Sequence, residues 1–194
     1  MYEIYTTPAF ILSSVEQGDS DLYVRFYTRD LGFVGAVVTS GRKEISKHRY
    51  SAQPYSFVSL SLVKGKRSFR VTGFEHDTHM FMGQSAITQK AIGKITALLL
   101  LLIHGEEKDI QLYKLLEILL RATPDYEDTM EIYETYVVVR VLHHLGYFDS
   151  SFTDPIPDTL FEETLPTMED LEHIQKKKHT YIQYINKCIY ETQL

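Results

Sequence analysis

A change of period near the middle of the chain constrains its fold more than any other feature. Between Thr6 and His76 the apolar residues fall into five short segments, parted by turns that contain glycine. From Gly83 onward they recur at every third or fourth position instead. A repeat of two suits a pleated strand, and a repeat near 3.6 suits a helix buried along one stripe. The order therefore predicts an α+β multidomain chain. A five-stranded β-barrel is expected over residues 1–80 and an α-helical domain over 81–194. The 194 residues suffice for one domain or two small ones with a substantial core.

The first β-type segment runs from about Tyr5 to Val15, and the polar stretch Glu16–Asp21 then turns the chain. In the second, Leu22 to Thr28, the side chains of Leu22, Val24 and Phe26 point one way and those of Tyr23, Arg25 and Tyr27 the other. An aromatic–basic–aromatic set suits an outer face better than a core. Asp30-Leu31-Gly32 leads into the third segment, Phe33 to Thr39, where Gly35 would permit a bend or bulge. A basic connection, Ser40–Arg49, precedes the fourth segment, Tyr55 to Val63. The tip Lys64-Gly65-Lys66-Arg67 then leads to the fifth, Phe69 to Glu75. Five short strands with a longer connection after the third suit a small closed barrel of the OB type.

Charge is distributed unevenly along this barrel. Ten basic residues lie between Arg25 and Arg70, opposed only by Asp30 and Glu44, in a chain whose net charge is −6. A local surplus of cations inside an acidic protein reads as a surface for polyanions, since an ordinary solvated face mixes signs more evenly. Nucleic acid fits this chemistry. Arg25, Arg29, Arg42, Lys43, Lys47, Arg49, Lys66, Arg67 and Arg70 would meet phosphates, and Tyr23, Tyr27 or Phe33 would stack on unpaired bases.

The second half reads as helices over Ser85–His104, Asp109–Ala122 and about Tyr126–Leu145. A final helix, opened by Thr167-Met168-Glu169-Asp170, would run to about Glu191. The leucine-rich end of the first is apolar all round, which predicts a central place in its domain. Val137, Val138, Val139 and Val141 are poor helix formers, so a strand competes for the third. This half carries an excess of acids.

No motif for phosphate cradling, dinucleotide binding or hydrolysis is present, so no enzyme is expected, and no cofactor. A lone cysteine, Cys188, excludes an intramolecular disulfide and a Cys-rich zinc site. His143 and His144 are adjacent and so diverge on a helix, while His76 and His79 lack a third ligand nearby in sequence. The run Lys176-Lys177-Lys178 suits a solvated helix face. The longest apolar run, Ala97–Ile103, is too short to cross a bilayer, and the first residues show no secretory pattern. A cytoplasmic, nucleoid-associated protein is expected, with no membrane partner.

Several ordered pieces resemble the RecO family of bacterial recombination mediators. They are Thr7-x-Ala9-x-Ile11-Leu12, Gly18-x-x-Asp21, and Phe26-Tyr27-Thr28-Arg29-x-Leu31-Gly32. Next come Ser40-Gly41-Arg42-Lys43 and Gln53-Pro54-Tyr55-Ser56, and finally the segment from Tyr136 to Leu142 with Leu145-Gly146-Tyr147. The resemblance covers about residues 1–147. It implies an OB-fold followed by a helical domain, and binding and annealing of single- and double-stranded DNA. It further implies assistance in loading the recombinase RecA, with RecR and the acidic C-terminal tail of single-strand-binding protein (SSB) as partners. Arg121 and Arg140 are candidates to meet that tail. Many members carry a four-cysteine zinc site after Leu-Gly-Tyr. No cysteine follows here until Cys188, so no zinc is expected. The alternative reading is an adaptor that binds SSB or RecR with little DNA binding of its own.

Overall fold

The computed structural model describes residues 3–43, 51–66, 68–79, 85–123, 127–148, 156–161 and 165–191. Lys47, Arg49 and Arg67 lie outside these residues, and the side chains of His76 and His79 lie outside what is described. The chain divides into two compact units. One comprises Met1–Gln84 with Thr96–Tyr113, the other Ser85–Ile95 with Lys114–Leu194.

In the first unit five strands, β1 (Ile4–Gln17), β2 (Asp21–Thr28), β3 (Gly32–Val38), β4 (Ser56–Lys64) and β5 (Phe69–His79), close into a barrel in the order β1-β2-β3-β5-β4. Neighbours run antiparallel except β3 and β5, which are parallel. This is the OB arrangement that the strand count and the long third connection predict. Alternate residues fill the interior: Ala9 and Ile11 from β1, Val24 and Phe26 from β2, Val34, Ala36 and Val38 from β3, with Val58, Leu60, Leu62, Phe69 and Val71 completing it. Burying these apolar side chains is the main force that closes the sheet.

The bend or bulge that Gly35 would permit is not used. The β2–β3 ladder is unbroken, with Arg25 opposite Gly35, and the irregularities fall between Ile11 and Ser13 in β1 and at two points along β4 and β5. Residues 96–113 cover part of the barrel's outer wall. Tyr113 meets Phe57 edge-on at 6.5 Å, Phe57 packs on Phe10 at 4.9 Å, and Lys108 stands 3.6 Å from Asp30. Gly32, at φ 67°, comes so close to the backbone of Glu107 that a Cβ would lie 2.7 Å from its carbonyl carbon. Only glycine serves both demands.

Helices α1 (Ala86–Leu102) and α2 (Ile110–Arg121) contribute residues to both units. The second unit also holds α3 (Glu127–His144), a short 3-10 turn (Asp158–Phe161), α4 (Met168–Lys176) and α5 (Lys178–Glu191). The valine-rich segment is helical, because packing outweighs its weak propensity: Tyr136, Val137, Val139, Val141 and Leu142 are fully buried. The central helix of this unit is thus α3. The leucine-rich end of α1 is not enclosed on every side, since Leu101 is 37% exposed while Leu98, Leu99 and Leu102 are buried. The single final helix expected from Thr167 is two, broken at Lys177, whose ψ of 15° leaves the helical range. The capping box holds: the Asp170 amide donates to Thr167 Oγ1 at 3.1 Å, and the Thr167 amide donates back to the Asp170 carboxylate at 2.9 Å.

Candidate nucleic-acid interface

Because Val24 and Phe26 turn inward, Tyr23 and Arg25 leave β2 on the outer side. Cross-strand register builds a row around Tyr23. Val15 of β1 stands opposite it on one side and Val37 of β3 on the other, and Val37 in turn pairs with Arg70 of β5. Tyr23 and Arg70 are therefore two strand spacings apart, about 10 Å. Val15 is 46% exposed, Tyr23 and Val37 are half-buried, and Arg70 is exposed. The phenol end of Tyr23 lies over Gly35, where a Cβ would stand 2.7 Å from its Cζ. The Arg25 guanidinium carbon is 6.0 Å from the centre of the same ring, at the outer limit of a cation–π contact.

Four of the sequence-predicted cations, Arg25, Lys43, Lys66 and Arg70, have no carboxylate partner among the described residues. Lys43 follows β3, and Lys66 sits in the β4–β5 turn that leads to Arg70; both are exposed. Arg42 is tied to the β1–β2 turn. It pairs with Glu16 at 3.0 Å, its side chain donates to the Gly18 carbonyl, and its amide donates to Ser20 at 2.9 Å. Asp21, from the same turn, accepts the Ser40 amide at 2.8 Å. Lys64 pairs with Glu106 at 3.4 Å and lies over the Phe69 ring. Charges remote in sequence thus temper the surplus of cations that the Arg25–Arg70 stretch carries.

Other expected site residues fall elsewhere. Arg29 sits at the opposite end of β2 from Arg42, about 23 Å away by strand rise, and grips Asp30 through Nε and Nη2 at 3.0–3.2 Å. That grip, with a bond from Thr7, holds the Asp30 carboxyl below its ordinary range. Tyr27 cannot stack on a base. It is 1% exposed, and its hydroxyl donates to the Asp109 carbonyl at 3.4 Å. Burial, with the nearby Asp109 charge, pushes its phenol far above the usual value. Phe33 stands opposite Tyr27 and is half-buried, away from the Tyr23 row.

The two partner candidates are both engaged within the second unit. Arg140 is 4% exposed, donates to the Tyr136 hydroxyl at 2.6 Å, and exerts its charge on Asp170. A buried guanidinium so held has no face to offer a peptide. Arg121 is exposed and pairs with Glu117 at 3.1 Å. Val15, Val37 and Gly35 share this face with Tyr23, though the sequence reading named none of the three as a site residue. Their signal is parity: they share the outer side of the sheet with Tyr23 and Arg25.

Among the described residues no group of three or more His, Cys, Asp or Glu could hold a metal ion, and no helix is long and apolar enough to cross a membrane. Residues 1–76 match the family model described as Recombination protein O N terminal, a match that ends within β5. No curated protein matches the chain.

Proposed function

We propose that this chain is a RecO-family protein of DNA recombination and repair, a reading that the match over residues 1–76 supports, and that it acts as a non-enzymatic recombination mediator. Its barrel binds single-stranded DNA across the outer face of β2 and β3. The observation that carries the reading is Tyr23, half-open between Val15 and Val37, with Arg25 and Arg70 on the same face and, like Lys43 and Lys66, without a carboxylate partner among the described residues. The cations displace the counterions condensed on a strand, and the ring offers a π-face to a base turned out of any duplex. Double strands engage the same cations through phosphates alone. Screening of phosphate charge brings two strands together, which supports annealing. Assistance in recombinase loading, with RecR and the SSB tail as partners, extends this reading to the helical half.

Binding of a fluorescent single-stranded oligonucleotide, titrated with salt, tests it. Affinity should fall steeply and linearly on a log–log plot. A flat dependence overturns the reading. A second reading, an adaptor with little DNA binding, is favoured by the acids that hold Arg29, Arg42 and Lys64. Capture of an SSB tail peptide by a chain that ignores DNA would select it.

A further inference from the structure

The geometry points to Gly35 as a positioning residue: its missing side chain seats Tyr23 as a fixed stacking platform and so sets a preference for unpaired over paired DNA. This deepens the proposed DNA-binding reading and rests on it. A glycine weakens a strand interior and is normally explained by a bulge, a bend or a left-handed backbone. None applies here. The ladder from Leu22–Val38 to Thr28–Gly32 is continuous, and Gly35 does not have a positive φ. What the glycine supplies is space, and the phenol of Tyr23 fills it: the three atoms nearest to a built Cβ are Oη, Cζ and Cε2 of that one ring.

The seat restrains the ring before any ligand arrives, which lowers the ordering cost of binding. It holds the ring within reach of the Arg25 guanidinium, with Val15 and Val37 on its flanks. A base can stack there only when it is unpaired and turned outward, whereas the paired bases inside a duplex offer edges and no open face. Gly35 thus acts on the difference between the two substrates, not on affinity for polyanions in general. An added methyl at position 35 displaces the far end of a side chain and no backbone atom, so Gly35→Ala moves the ring and leaves the barrel standing.

The test uses the full chain and two labelled strands of equal length, oligo-dT and an abasic phosphodiester without bases. Wild type should bind oligo-dT more tightly than the abasic strand. Gly35→Ala should lose roughly tenfold on oligo-dT, the scale of one stacked base, and nothing on the abasic strand. In a Tyr23→Ala background the same change should alter neither. Unchanged oligo-dT affinity, an equal loss on both strands, or a loss that persists without Tyr23 overturns the inference. If Gly35→Ala does not fold, Tyr23→Trp decides, because it installs the one indole of a chain that has no Trp. Quenching by oligo-dT and not by the abasic strand supports the platform; no quenching overturns it. Wild type that binds both strands equally overturns this inference alone, and wild type that binds neither overturns the DNA-binding reading as well.

Discussion

Tyr23 and Tyr27 leave β2 on the same side, four residues apart, yet one is half-open and the other is sealed. Around Tyr23 the neighbours are Val15, Val37 and the bare backbone of Gly35. Over Tyr27 lies the 96–113 segment, whose Asp109 carbonyl accepts a hydrogen bond from the phenol from 82 residues away in sequence. Strand parity decides which side a residue takes, and coverage decides whether that side meets solvent. The cations repeat the contrast. Arg25 and Arg70 stand on an outer face with no carboxylate partner among the described residues, whereas Arg140, in the helical unit, is enclosed with Tyr136 and within the field of Asp170. A positive charge is open to a ligand in the first setting and held in the structure in the second.

The largest effect should come from the enclosed charge. Arg140→Ala leaves the Tyr136 hydroxyl and the Asp170 carboxylate buried without their cation, which costs about 3–5 kcal/mol. Chemical denaturation measures this, with oligonucleotide affinity of the folded fraction unchanged. An Arg140→Ala chain of normal stability that fails to bind an SSB tail peptide would erase the contrast. Next in size, reversal of both open charges, Arg25→Glu with Arg70→Glu, should lower the slope of log affinity against log salt by about two and leave the unfolding midpoint in place.

A smaller effect concerns pH. Burial would raise the Asp170 carboxyl, but bonds from Thr167 and Thr159 and the Arg140 charge outweigh it and hold the folded value below the ordinary one. A depressed folded pKa stabilises above the unfolded value, near 3.9. That stability is lost as pH falls through the folded value. Asp170→Asn should be less stable at neutral pH and show a flatter stability profile below about pH 4, followed by circular dichroism. The smallest effect should be Tyr27→Phe. Loss of its long hydrogen bond costs about 1 kcal/mol and leaves DNA affinity untouched, in contrast to removal of Tyr23. A loss of affinity in Tyr27→Phe would mean that the sealed end of β2 opens on binding.

Much of the architecture was legible before any coordinates. Five apolar runs spaced by Gly18, Gly32 and Gly65, with a long connection after the third, lead to the barrel; the period of three and four after Gly83 leads to the helices. Strand alternation sorted Val24 and Phe26 from Tyr23 and Arg25, because the pleat gives the chain no other choice. Local chemistry also set the capping box at Thr167 and Asp170. These features depend on neighbours a few residues apart.

Contacts made over long sequence distances decided the rest. Whether Arg29, Arg42 and Lys64 are available depended on Asp30, Glu16 and Glu106, and a count along the sequence cannot pair the last two with their partners. That Gly35 makes room for a ring instead of bending a strand depended on which ring leans over it from the neighbouring strand. Period and turn chemistry are properties of a stretch of chain. Access and charge pairing are properties of a surface, and a surface exists only once distant segments have packed.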